Sequence, residues 1–237
     1  MTARDDILHN LRSTLAQPHL SFPPADPPPM TAATRMTVTH AAGDGHALAE
    51  RFGAELENLQ GTYQIVESIP EVRMALIGKL VVWAEEEAQA RKGAQLETGQ
   101  DRQVLSWDPV TLAIPALRDA LSDLNFTLVT PGDLASDEAR QAVRYIRYGL
   151  TGVTAAFAST GSLLMTTGAQ TSRAASLLPF RHIALIPFNK LYPTLEAWLH
   201  EQRAAGTLVD TYRNHANLTL ISGPSKSADI EMKLTLG

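Results

Sequence analysis

The chain has 237 residues, 44% of them hydrophobic and 19% charged, a composition that supports one main globular domain with an appendage. With 20 Lys and Arg against 25 Asp and Glu, the net charge is -5, so no global basic field draws nucleic acid or anionic lipid. The complete lack of cysteine excludes disulfides, thiolate zinc sites, cysteine nucleophiles and a self-ligated iron–sulfur cluster of the usual kind.

The chain opens on polar residues without the apolar stretch of a secretory signal, and no run approaches ~20 apolar residues, so a cytoplasmic protein without a membrane span is expected. Ile7, Leu8, Leu11 and Leu15 recur at helical spacing and predict an amphipathic helical arm over residues 1–17 that ends before Pro18. A Pro-rich linker follows over 18–41, with Pro23, Pro24, Pro27, Pro28 and Pro29 blocking regular pairing, so limited proteolysis is expected to cut first near Leu20 to Phe22. The arm would then dock on the main body or on a partner, and the main α/β domain would occupy 42–237.

Within that domain the pattern alternates. Ala47 to Leu59 reads as an amphipathic helix closed by Gly61, Tyr63 to Val66 as a strand, Pro70 to Ile77 as a helix and Lys79 to Trp83 as a strand, which together suggest βαβα winding. Ala84 to Gly99, with Glu85, Glu86 and Glu87, reads as a solvated helix or loop. A strand over Val104 to Trp107, a helix over Ile114 to Leu124 and a strand over Phe126 to Val129 follow, with parallel order favoured. Ser136 is placed to cap a helix over Asp137 to Tyr148 that Gly149 stops. Apolar runs Ala155 to Ala158 and Leu163 to Thr166 flank Ser159-Thr160-Gly161-Ser162 as a hairpin or tight strand crossing. His182 to Pro187 reads as a buried strand, Leu191 to Ala204 as a helix ended by Gly206, and Leu218 to Ser222 as a strand feeding the loop at Gly223.

The two Gly-centred segments carry most of the chemistry. Each sets small hydroxyl residues beside a strand, where α/β proteins build ligand loops. No Asp or Glu occurs from Ala139 to Leu195, while Arg140, Arg144, Arg147, Arg173, Arg181 and Lys190 all fall there. Either an anionic ligand or acidic partner meets this segment, or its buried strands exclude carboxylates and its arginines face solvent. Arg173, after Thr171 and Ser172 and before an apolar run, is placed to hold a carboxylate or phosphate, or to pair with a nearby acid. It is expected to meet an anion at the Ser159 to Ser162 loop.

In Gly223-Pro-Ser-Lys-Ser, the glycine allows close approach, while Ser225, Lys226 and Ser227 offer donors; this is no Walker A loop. Asp229 and Glu231 follow, either as paired acids for proton or cation work or as helix-capping acids. This segment is expected to wall the same pocket, with Lys226 opposite Arg173. Among seven histidines no His-x-x-x-His pair occurs, so no metal site is expected, and His182 alone has a site-like setting beside Arg181 at a strand mouth.

The combination of Gly149-Leu-Thr-Gly-Val, Ala158-Ser-Thr-Gly-Ser-Leu, Ser176-Leu-Leu-Pro-Phe-Arg-His-Ile-Ala-Leu and Gly223-Pro-Ser-Lys-Ser-Ala-Asp-Ile-Glu resembles the LUD-domain family of lactate utilization proteins, most of all its lactate utilization protein C branch. The resemblance covers about Ala42 to the end. It implies a three-layer α/β/α fold with a mainly parallel central sheet, akin to the sugar-isomerase and CoA-transferase superfamily. It also implies a part in oxidising L-lactate to pyruvate beside partner proteins that carry the iron–sulfur clusters, with no intrinsic cofactor. Family members often have Glu at Ser159, and often continue past Gly237 with Val-His-Gly-Pro and a last strand. The leading expectation is a subunit with a small-anion or nucleotide-like site and a docking surface for those partners. The alternatives are a stand-alone transferase or ligase acting on a CoA ester or nucleotide, and a regulatory interaction module.

Overall fold

The structure, a computed structural model, describes residues 3–16, 43–90, 102–134, 136–224, 226–228 and 234–236. The expected Pro-rich linker lies outside the described residues. Helix α1 (Ala3–Leu15) carries Asp5 and Asp6 in its first turn and Arg12 in its last, as the helix dipole favours. Its Ile7, Leu8 and Leu11 are exposed.

Helix α2 (Gly45–Asn58) starts where the Asp44 carboxylate accepts the N–H groups of His46 and Ala47. Helix α3 (Ile69–Ala90) follows. Between them the expected strand over Tyr63 to Val66 is absent. Tyr63 instead lays its ring on α2 at Gly53, where a Cβ would stand 2.3 Å from it, so the segment packs through a side chain rather than a ladder. The expected strand over Lys79 to Trp83 lies inside α3, whose buried side is Leu76, Leu80, Ala84 and Glu87, a helical period. The βαβα winding expected of this half is therefore replaced by two helices.

The strands are β1 (Gln103–Ser106), β2 (Thr127–Val129), β3 (Tyr148–Thr151), β4 (Ala155–Phe157), β5 (Ser162–Thr167), β6 (Arg181–Ala184), β7 (Leu191–Tyr192) and β8 (Asn217–Ser222). Helices α4 (Pro109–Leu112), α5 (Leu117–Ser122), α6 (Asp137–Ala142), α7 (Ala174–Leu177), α8 (Leu195–Ala204) and α9 (Leu208–Arg213) connect them. A parallel sheet runs β2-β1-β3-β6. Alternating side chains of β3 reach opposite faces. Tyr148 stacks on Trp83 of α3 at 6.1 Å, while Gly149 lies beneath α7, so helices cover both faces and the fold is three-layered.

Ser136 caps α6 as expected, its Oγ accepting the Ala139 N–H at 3.1 Å. The helix is shorter than its sequence pattern, passing into a 3-10 turn over Val143–Tyr145, and Gly149 stands inside β3 rather than stopping it. Leu191 and Tyr192 likewise form a strand, and α8 starts only after Thr194, whose hydroxyl accepts the Ala197 N–H.

The second sheet runs β7-β4-β5-β8, with β4 and β5 forming the expected hairpin. β3 leads through Gly152-Val153-Thr154 into β4, and its neighbour β6 leads into β7, which pairs parallel with β4. Two adjacent strands of the first sheet thus lead directly into two adjacent strands of the second. Ala156, Ala158, Leu163 and Met165 share a core with Leu48 and Phe52 of α2, whereas Ala155, Phe157 and Leu164 pack on Trp198 and Leu208 of α8 and α9.

Ion pairs clamp α3 to the start of the parallel sheet. Arg147 binds Glu87 at 3.0 Å and Arg181 binds Glu86 at 2.8 Å, with the Arg181 guanidinium 5.1 Å over the Trp83 ring. Glu86 and Glu87, read from sequence as solvated, therefore neutralise two arginines of the carboxylate-free segment. Replacing the buried Glu87 by Ala is expected to cost about 1 to 2 kcal/mol in urea unfolding, the scale of a hydrogen bond to a charged group reduced by the solvent around Arg147. An unchanged midpoint would mean that the clamp contributes nothing.

Candidate functional site

The two Gly-centred segments meet. Antiparallel pairing of β5 with β8 sets Ser162 against Ser222, their hydroxyls 2.7 Å apart, and the Thr160 hydroxyl donates to Ser162 at 2.9 Å. Gly161, at φ 61°, and Gly223, at φ 74°, both close on the end of α2. A Cβ at Gly161 would stand 2.9 Å from the Leu56 nitrogen, and one at Gly223 2.6 Å from the Leu59 Cβ. Both glycines thus serve a close helix contact, as their left-handed backbone and missing Cβ allow. Buried Ser159 donates its N–H to the Pro193 carbonyl at 3.0 Å. The corner faces the carbonyl end of α2, with Glu55 and Glu57 in its last turn, a setting that disfavours an anion.

Arg173 does not reach that corner. It lies beyond the far end of β5, at the start of α7, exposed and without a side-chain partner among the described residues. The expected meeting of Arg173 with the Ser159 to Ser162 loop is corrected by the length of β5, whose six residues separate them by about 20 Å. Nor does Lys226 stand opposite it. Lys226 and Ser227 belong to β9 (Lys226–Ala228), which pairs with β10 (Leu234–Leu236) after the Gly223 corner. Ser225, Asp229 and Glu231 lie outside the described residues.

The loop carrying Arg173 sits instead over the carboxyl end of the parallel sheet, the usual ligand edge of an α/β fold. The Trp107 indole donates to the Ser172 carbonyl at 3.1 Å, and the Asp108 N–H donates to the Gln170 carbonyl at 2.9 Å. Just past the paired ends of β1 and β3 the Trp107 ring packs on Gly152, leaving 3.4 Å to a Cβ built there. Beside it opens a cleft of about 390 Å³. Pro131, Leu134, Arg140 and Val143 form one wall, and Thr167, Gly168, Ser172, Ala174 and Leu178 the other.

The first wall is held by Asp133, whose carboxylate accepts the Thr130 N–H at 2.8 Å and hydroxyl at 2.9 Å. These bonds, the backbone one first, hold its pKa below the ordinary carboxylate value. Arg140 is tied down, donating to the Leu134 carbonyl at 3.1 Å and pairing with Asp137 at 3.1 Å. Arg173 is exposed and is not itself a lining residue, although its chain neighbours Ser172 and Ala174 are. The apolar walls and the fixed Arg140, with Arg173 on the adjoining loop, suit a small carboxylate with an apolar body.

Two further polar groups stand near the junction of the sheets. His182 on β6 lies 2.8 Å from the Thr151 hydroxyl, and burial pushes its pKa down to about 4. Lys190 donates to the Val153 carbonyl at 2.8 Å where β3 gives way to β4, and burial lowers its pKa from the ordinary lysine value. Sequence reading did not single out Lys190, Arg140 or Ser172 for a site. The signal available for the first two was their place in the carboxylate-free segment.

The LUD domain family matches residues 73–237. A lactate utilization protein C of Halalkalibacterium halodurans is 35% identical over 111 residues, 46% of this chain and 44% of that protein. Another, from an Exiguobacterium species, is 30% identical over 145 residues, 61% of this chain and 56% of that protein. The chain thus spans about half the length of the curated relatives it matches. A crystal structure of a DUF162 family protein from Deinococcus radiodurans aligns over 76% of this chain and 90% of that one, with a TM-score of 0.49 and 17% identity. Among the described residues, no helix is long and apolar enough to cross a membrane.

Proposed function

Since the chain belongs to the LUD domain family, we propose that it serves in lactate utilization, as a subunit that binds a small carboxylate in the cleft at the carboxyl end of the parallel sheet and docks on redox partners. The observation that carries this reading is the family match over most of the chain, joined by relatives named lactate utilization protein C. The oxidation needs an electron acceptor, and because a chain without cysteine has no thiolates to hold an iron–sulfur cluster, an acceptor of that kind would sit on a partner protein. A cleft of about 390 Å³ admits a small 2-hydroxy or 2-oxo acid, whose identity rests on the family match rather than on the volume.

The docking surface lies beside the cleft. Leu177, Leu178 and Phe180 are exposed, Leu178 also lines the cleft, and Arg147 stacks over Phe180 at 4.9 Å. With Arg147 and Arg181 already paired to Glu87 and Glu86, this apolar patch beside exposed Arg173 suits a partner with an apolar centre and an acidic group facing Arg173. The test is lactate oxidation by purified iron–sulfur partner proteins with and without this chain. The rate is expected to fall when the chain is withheld, and an unchanged rate removes the reading. Arg173→Ala is expected to weaken pyruvate binding about tenfold in calorimetry, the loss of one hydrogen bond to a charged group. Equal affinity would leave Arg173 outside the site.

A further inference from the structure

On the reading of the cleft as a carboxylate site, we infer that Trp107 is its positioning residue: the indole, with the backbone N–H of Asp108, fixes the 168–173 loop that forms the second wall. The loop leaves the end of β5 in the second sheet and enters α7 on the first, so neither sheet fixes it by itself. Its internal bonds are local. The Gly168 N–H donates to the Thr171 carbonyl at 3.2 Å and the Thr171 N–H donates back to Gly168 at 3.3 Å, which closes a turn without seating it on either sheet. The seat comes from the Gln170 and Ser172 carbonyls, which accept the Asp108 N–H at 2.9 Å and the Trp107 indole N–H at 3.1 Å.

The bend that supplies these donors is itself held from three sides. The Trp107 N–H donates to the Leu150 carbonyl of β3 at 3.0 Å, and its carbonyl accepts the buried Ser106 hydroxyl of β1 at 2.7 Å. The Asp108 carboxylate accepts the Val110 N–H at 3.1 Å at the start of α4, and its carbonyl accepts the Thr111 hydroxyl at 2.7 Å. Every other backbone group of the two residues is thereby committed to β1, β3 or α4. The two donors left over are the pair that grips the loop.

The grip reaches three residues that line the cleft, Gly168, Ser172 and Ala174. The Ser172 carbonyl also accepts the Ala175 N–H at 3.3 Å, and the Ser172 hydroxyl accepts the Ala174 N–H at 3.2 Å, so Ser172 carries the first turn of α7 with it. An indole is required. A phenyl ring would still pack on Gly152 but would leave the loop with one donor fewer.

The test is Trp107→Phe in the full chain, where the retained aromatic ring keeps the bend packed. Hydrogen exchange at the Gly168 and Thr171 amides is expected to quicken about tenfold, the loss of one hydrogen bond from a local opening, and unchanged exchange overturns the inference without any ligand. Pyruvate affinity in calorimetry is expected to fall about tenfold as well. Trp198→Phe, the same substitution in the separate core under α8 and α9, is expected to bind pyruvate as the wild type does. Equal losses in the two variants would reduce Trp107 to a packing role and overturn the inference, as would wild-type affinity in Trp107→Phe. A wild-type chain that fails to bind pyruvate would instead overturn the carboxylate reading of the cleft, and the exchange result would still decide whether Trp107 anchors the loop.

Discussion

Replacing Gly149 with alanine is expected to lower stability by about 3 kcal/mol, the upper range for forcing a methyl group into a packed interior. A Cβ there would lie 2.0 Å from the Ala175 carbonyl oxygen and 3.0 Å from Pro179. The strand cannot yield, because Gly149 is paired on both sides, with Leu105 of β1 and His182 of β6. Helix α7 must therefore lift, and with it the loop that forms one wall of the cleft. The loss should appear as an earlier urea midpoint together with weaker pyruvate binding. Wild-type stability in this variant would mean that α7 is not seated on the sheet.

Acidification supplies the second large effect. The His182 pKa falls from an ordinary 6.5 to about 4 through burial, so the folded state stays neutral where the unfolded state takes up a proton. Stability from this group is complete above pH 6.5 and drains away as the pH falls towards about 4, by up to ~3 kcal/mol in all. His182→Gln, which keeps a polar partner for Thr151, should flatten the decline over that window. Identical slopes for both proteins in urea titrations at pH 7, 5.5 and 4.5 would remove His182 as the cause.

The later half of the fold was largely legible because its signals are local. Ser136 as a cap, the Ser159 to Ser162 hairpin, and the strands ending at Ser106, Val129 and Ser222 all follow from nearest neighbours. The first half misled. Lys79 to Trp83 is short, apolar and partly β-branched, so it reads as a strand, and only the burial of Leu76, Leu80 and Ala84 together reveals the helix. Gly149 reads as a helix stop because the demand for its missing side chain comes from α7, some 26 residues later.

The site divides in the same way. That the hairpin and Gly223 adjoin depends on β5 pairing antiparallel with β8, and strand direction places Arg173 at the opposite end. Its charge was visible in the sequence, but its position was set by long-range register. Lys190 was less legible still, since its acceptor is a backbone carbonyl 37 residues away.

The β3–β6 pair continues through short links into the β4–β7 pair, so the chain itself ties the two sheets together twice. Opening the β3–β6 ladder pulls on β4 and β7 through links of only three and six residues, so the two sheets should melt as one cooperative unit with a common exchange rate at their central amides. A chain break at Gly152-Val153-Thr154 would cut the shorter of these two links, so it should lower the shared cooperativity of the sheets while leaving both ladders paired.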